Sequence, residues 1–145
     1  MALTGTYEPS PWEPIAKQVE EYESSDGEHG RYLEGRPCII LTTVGAKSGN
    51  LRKTPLMRVA AGDHYAVIGS MGGAPEDPQW VHNLRANPRA ELQDGPRKHE
   101  YTVREVEGDE RSTWWEIACR EWPPYDDYQA KTERQIPVFV LEPAD

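Results

Sequence analysis

The sequence predicts an α+β fold built on an antiparallel sheet or barrel, with about six strands and helices inserted between them. Three observations carry that expectation. Short apolar, β-branched runs recur along the chain, bounded by Gly, Pro, Asn or Asp. Segments with helical start and stop signals fall between those runs. The 13 prolines and 12 glycines among 145 residues mark frequent turns, which favour short strands over a helical bundle. One domain over residues 1–145 is expected at this length, with residues 1–30 as an N-terminal helix and connector.

Taken in order, Pro11 to Tyr22 reads as a helix, with Ser10 as cap, Pro11 at the first helical position, and Ile15, Val19 and Tyr22 on one side. Ser24 to Gly30 is a polar connector. Cys38 to Val44 is an apolar strand, Thr54 to Ala60 its hairpin partner, and His64 to Gly69 a third strand after the Gly62-Asp63 turn. A glycine-rich loop, Ser70-Met71-Gly72-Gly73-Ala74, follows. Asp77-Pro78 starts a helix over Pro78 to Ala86 that Asn87-Pro88 stops. Arg89 to Gln93 and Lys98 to Glu105 are strands around Gly95-Pro96. Asp109 to Arg120 is a further helix, and an aromatic, proline-rich run from Trp122 to Tyr128 leads to a closing strand, Ile136 to Leu141.

Composition narrows the function classes. The net charge of −9 argues against nucleic acid as the main partner, because binding a phosphate backbone needs an extended basic face. No apolar run approaches the ~20 residues that span a bilayer. The acidic stretch Met1 to Glu23 lacks the apolar core of a secretory signal, so a cytoplasmic location is expected. Cys38 and Cys119 read as buried thiols, and the four histidines show no metal-ligand spacing.

Against that acidic background, the segment between Glu34 and Asp63 holds no acid and five cations: Arg36, Lys47, Arg52, Lys53 and Arg58. Such a cluster repels itself unless an anion or a carboxylate face answers it. It surrounds the loop Val44 to Asn50, whose two glycines can turn backbone N–H groups toward one concavity. Ser48 and Thr54 add hydroxyls. Arg52 can grip a phosphate with two parallel bonds, whereas Lys47 and Lys53 act as point charges. A solvated hairpin turn is the competing reading. Gly72 and Gly73 can let backbone approach a flat polar ring, or simply form a turn. Trp80 and Leu84 are spaced as core residues, while Asn83 on the same helix side is harder to explain by packing. Tyr125 and Tyr128 suit a sheet-edge cover or a cleft wall that donates protons.

Several motifs then fall into register. Leu41 to Gly49, Arg52 and Thr54-Pro55-Leu56 are followed by Gly72-Gly73-Ala74, Asp77-Pro78-Gln79-Trp80 and Asn83-Leu84-Arg85-Ala86-Asn87-Pro88. Trp122 to Gln129, Ile136-Pro137-Val138 and Glu142-Pro143 complete the series. In order and spacing, from about Pro37 onward, they resemble the deazaflavin-dependent nitroreductase family. The resemblance implies a split β-barrel like that of flavin-binding oxidases, holding the deazaflavin coenzyme F420. It implies that Lys47, Ser48 and Arg52 hold the cofactor's phosphate and polyglutamate tail, and that Pro55 and Leu56 lie against its ring. Trp80 and Asn83 match cofactor-side positions, and Ser70, Tyr125 and Tyr128 face ring and substrate. Lys53, Thr54, Met57, Met71, Gly72, Gly73 and Gln79 complete the expected cofactor-facing set. The chain departs from the family pattern at Ala46, where a basic residue is usual, and at Met71, where a Lys is. Met57 and Trp122 stand where the nitroimidazole-activating member has tyrosines.

The expectation is therefore an F420-dependent reductase that passes hydride to an electron-poor small molecule: an enone, quinone or lactone. Ser70 would hydrogen-bond the developing enolate, and Tyr125 or Tyr128 would relay the proton. Two alternatives stay open at this point. A noncatalytic carrier could hold F420 or a flavin on the same barrel. An FMN-dependent oxidase would use the fold with a shorter anion. No metal is expected, and the oligomeric state is open.

Overall fold

A computed structural model describes residues 3–144. Its organising strand is β2 (Arg36–Val44), buried without interruption from Cys38 to Thr43. That unbroken burial explains why the sequence there is continuously apolar rather than alternating: both strand faces are covered. Ile39 and Leu41 point into one core cluster, and Cys38 and Ile40 into another beneath helix α1 (Glu13–Ser24).

From β2 the antiparallel pairing runs in two directions. One side reaches β6 (Arg89–Asp94), β7 (Arg97–Val106), β8 (Val138–Pro143), β5 (His64–Ile68) and β4 (Val59–Ala61) in turn. The other side is β3 (Leu51–Met57). Only Arg58 separates β3 from β4, so the chain itself closes the ring: one bent strand pairs with β2 at its start and β5 at its end. The result is a split β-barrel of six staves, as expected. A two-residue strand, β1 (Tyr32–Leu33), adds to the start of β2.

The barrel interior is filled by Ile39, Leu41, Val67, Leu92, Val103, Phe139 and Leu141, with Trp80, Val81 and Leu84 of α2 (Gln79–Ala86) packed against them. Outside, α3 (Gly108–Glu121) and α4 (Tyr125–Lys131) cover β4, β5 and β8 through Ala118, Tyr125, Ile68 and Val138. Helix α1 is tied to the β6–β7 turn by Tyr22, whose hydroxyl accepts the Gly95 N–H at 2.7 Å.

Local expectations shift in three places. Helix α1 begins at Glu13 with Trp12 at its cap position, and the Ser10 hydroxyl accepts the Trp12 N–H ahead of the helix instead of capping it. Pro14, rather than Pro11, takes the first-turn place where a missing N–H costs nothing. Asp77 does not cap α2, because its carboxylate is held by Arg134 and Arg85 at 2.7 and 3.2 Å. The proline-rich run is not all loop: Pro124 takes the cap position of α4, which begins at Tyr125. Cys38 and Cys119 are free thiols, and burial pushes both up to about 11.

Candidate active site

Two cavities share walls beside β3. The first, about 240 Å³, is lined by Leu56 and Met57 of β3, by Ser70 and Met71, and by Trp122, Tyr125 and Tyr128. The second, also about 240 Å³, runs along Arg52, Lys53 and Thr54 of β3 and along Gln79, Trp80 and Asn83 of α2. Met71, Pro78 and Trp80 border both. The two are therefore one cleft, with an aromatic chamber at one end and a cation-edged groove at the other.

Sequence reasoning missed part of this lining. Leu33 and Glu34 edge the chamber, and Ser10 and Ile15 edge the groove. Leu33 ends a strand too short to show any periodicity and Glu34 lies in the turn after it, while the second pair arrives from a segment distant in sequence. Conversely, Lys47, Ser48, Pro55, Gly72 and Gly73 line neither cavity. Pro55 pairs with Ile40, whose face packs under α1, and it is buried outside the cleft that its neighbours Thr54 and Leu56 line.

The basic cluster is not left unpaired. Arg36 meets Glu121 at 3.0 Å, Arg52 meets Glu8 at 3.2 Å, Arg58 meets Asp94 at 2.8 Å, and Lys53 meets Glu23. Lys47 alone of the five has no carboxylate partner among the described residues. The carboxylates come from the N-terminal segment and from distant elements, which no local charge count reveals. Partly exposed pairs of this kind contribute about 0–1 kcal/mol each, so a multiply charged anion can displace them.

Nor do the loop's glycines present a ring of free N–H groups. The Gly45 N–H donates to the Asn50 carbonyl, that of Gly49 to Gly45, that of Asn50 to the Ser48 hydroxyl, and that of Ala46 to Asn83 Oδ1 at 3.0 Å. Asn83 is buried, and its amide also donates to Thr43 Oγ1 at 3.1 Å. Its main work is to hold this loop against the barrel. Of the loop's N–H groups, those of Lys47 and Ser48 make no hydrogen bond among the described residues.

The glycine-rich turn is shaped by contacts rather than left open. Met71, Gly72 and Gly73 all have left-handed backbones, with φ of 47°, 66° and 85°. A Cβ on Gly73 would lie 2.8 Å from the Tyr128 carbonyl oxygen, so glycine there allows α4 to pack. Met71 is 60% exposed despite being apolar, and it stands where chamber and groove meet. Arg134, which no sequence motif marks, clamps this turn. Its guanidinium donates to the carbonyls of Gly69, Ser70 and Ala74 at 3.1, 2.8 and 2.9 Å and to Asp77 at 2.7 Å.

Among the hydroxyls of the chamber, Tyr128 is oriented. Trp122 Nε1 donates to its oxygen at 3.1 Å, which leaves the phenol's own proton to donate elsewhere. Tyr125 is buried, and that burial, with the neighbouring Tyr128, pushes its phenol well above the usual range. Ser70 is buried, and its hydroxyl makes no hydrogen bond among the described residues.

Comparison with known proteins decides the family. The sequence model of the F420H(2)-dependent quinone reductases matches residues 15–143. This chain belongs to that family. An F420H(2)-dependent quinone reductase of Mycobacterium tuberculosis (strain ATCC 25618 / H37Rv) is 36% identical over 124 residues, 83% of each protein. A solved F420-H2-dependent reductase, FDR-A, is 49% identical with a TM-score of 0.70, covering 74% of this chain and 95% of that one. A solved domain-swapped dimer is 44% identical with a TM-score of 0.74, covering 92% and 100%. The deazaflavin part of the expected resemblance stands, and the matching family is named for quinone rather than nitro reduction. Among the described residues, no helix of this quinone-reductase family member is long and apolar enough to cross a membrane.

The residues present suit F420. A long cleft with an aromatic end and a cationic end matches a flat ring with an acidic tail. Arg52, which lines the groove, already pairs with a carboxylate: Glu8, which also accepts from Asn50 Nδ2 at 3.1 Å. A carboxylate is also the functional group of a polyglutamate tail.

Proposed function

We propose that the protein is an F420H2-dependent reductase whose acceptor is a quinone-type small molecule and whose site is the two-ended cleft. The observation that carries this reading is the continuity of the aromatic chamber with the groove at Met71 and Trp80. A ring laid across that junction would have its acceptor on one side and its tail on the other. Arg52, Lys53 and Lys47 would hold the acidic tail, with Thr54 and Gln79 along the groove. Leu56, Met57 and Trp80 would hold the ring and keep water from it.

When bound, reduced F420 supplies the hydride. Hydride arrival leaves negative charge on an acceptor oxygen. Ser70 is buried beside that chamber with its hydroxyl uncommitted, so it can donate to the developing oxyanion. Tyr128, held by Trp122, is the better-placed proton donor. Burial holds the Tyr125 proton more tightly than a free phenol does, which suits that residue to walling the chamber. Met57 and Trp122 make the chamber more apolar than tyrosines would, which favours quinones over nitroimidazoles. A cytoplasmic site of action fits two free thiols.

The test is a fluorescence titration of F420 against FMN, followed by oxidation of reduced F420 with a panel of quinones, enones and a nitroimidazole. Tight F420 binding with quinone-dependent oxidation is expected. Preference for FMN would reassign the cofactor. F420 binding with no oxidation by any acceptor would make the protein a carrier.

A further inference from the structure

The aromatic chamber carries one formal charge. Of the residues that line it, Glu34 alone has a side chain ionised at neutral pH; the rest are apolar or aromatic except Ser70. Among the described residues no cation pairs with it, and Lys131 has its Nζ 5.8 Å from the centre of the ring of Tyr128, which lines the chamber. Arg36, two positions on, is turned to Glu121 at 3.0 Å, and Arg31 lies over the ring of Tyr32. Glu34 itself makes no hydrogen bond or ion pair among the described residues, and its side chain is exposed at the chamber's edge.

The backbone at this position is unusual for glutamate. Leu33 pairs with Arg36, so Glu34 and Gly35 form a two-residue hairpin turn, and both have left-handed φ values of 52° and 78°. Asparagine or glycine suits such a turn best. A bulky carboxylate in a left-handed conformation at the edge of a functional cavity points to a role for the side chain rather than for the turn.

We infer that Glu34 is a specificity-determining residue that screens the acceptor by charge, so that the chamber takes uncharged quinones and rejects anionic ones. The inference rests on the reading of this cavity as the acceptor chamber. The physics is one carboxylate, unpaired among the described residues, repelling a second anion across the mouth. The same charge disfavours placing anionic groups of the cofactor in the chamber. The groove's Arg52 and Lys53 are already answered by Glu8 and Glu23, whereas Glu34 has no ion pair among the described residues, so the uncompensated charge lies at the chamber end.

The experiment measures kcat/KM for reduced-F420 oxidation with 2-methyl-1,4-naphthoquinone and with 1,2-naphthoquinone-4-sulfonate. Wild type, Glu34→Gln, Glu34→Asn and Glu34→Lys are compared. Each variant is scored by its ratio of sulfonated to neutral quinone, which cancels differences in acceptor potential. The ratio is expected to rise about 1.5-fold to fourfold in the Gln and Asn variants, the size of one screened charge at roughly 8 Å, and further in the Lys variant. The rise should shrink as salt increases. Asn suits the left-handed turn, so agreement between Gln and Asn separates charge from turn geometry. An unchanged ratio in all three variants, or a ratio indifferent to salt, overturns the role of Glu34. Failure of the wild type to oxidise reduced F420 with any quinone overturns instead the reading of the cavity itself.

Discussion

At the scale of single residues, function in this cleft depends on which polar atoms are already committed. Tyr128 accepts from Trp122 and keeps its proton free, whereas Tyr125 is buried among Trp115 and Tyr128. Tyr128→Phe should therefore lower kcat about 10²-fold while leaving F420 affinity nearly unchanged, as expected for loss of a general acid. Tyr125→Phe should have a much smaller effect on kcat. Steady-state kinetics beside a fluorescence titration decides between them, and the reverse ranking would discard the donor assigned here. Arg134 acts differently, through the turn it clamps. Arg134→Gln removes charge-assisted bonds to three carbonyls and to Asp77, so a loss of about 2–3 kcal/mol is expected in urea denaturation. A lowered kcat should accompany it, because the turn from Ser70 to Ala74 loses its support.

At the scale of elements, the N-terminal segment and the loop before β3 form one device. Thr6 and Glu8 bond the backbone of Leu51 at 2.8 and 2.9 Å, which lays Glu8 along Arg52. A bound acidic tail has to compete with that carboxylate. Arg52→Ala and Lys47→Ala should each weaken F420 binding by ~1.5–3 kcal/mol, the value of a charge-assisted bond. Glu8→Gln should do the opposite, tightening binding by up to about 1 kcal/mol, since the pair it releases is partly exposed. Both shifts should fade with salt. An affinity for F420 that ignores all three substitutions would remove the tail from this groove. The same loop shows why local pattern misled: its glycines looked like an N–H cradle, but Asn83 and the loop's own carbonyls take most of those donors.

At the scale of the whole molecule, closing the barrel buries groups that titrate only at alkaline pH. Burial raises the Cys38 thiol to about 11 and also raises the phenols of Tyr22 and Tyr125. The sign follows from proton counts. Above pH ~9 for the thiol and ~10 for the phenols, the unfolded chain gives up protons that the folded chain keeps. Stability from these groups is therefore complete below those values and falls as pH rises, by at most about 1.4 kcal/mol per pH unit for each. Urea midpoints should stay level from pH 7 to 8.5 and drop steadily toward pH 11. A flat profile over that upper range would mean these groups ionise equally in both states.

The amino-acid sequence by itself determined most of the strands, because those depend on short-range pattern, and motifs in register named many of the residues that line the cleft. The run Cys38 to Val44 reads as a strand from its β-branched residues alone, and its lack of alternation already implies cover on both faces. Leu56, Trp80 and Ser70 follow from motifs in register. Tertiary structure alone decided where charge and hydrogen bonds ended up. Glu8, Glu23, Asp94 and Glu121 answer the basic cluster from distant parts of the chain. Arg134 and Glu34 enter the site from a loop and a two-residue turn that carry no periodic signal. Pro55 and Leu56 are neighbours in sequence, yet packing leaves Pro55 outside the cleft that Leu56 lines. Periodicity is a local property, so it can be read along the chain. Pairing between charges is set by closure of the barrel, which brings together residues that no window of sequence contains.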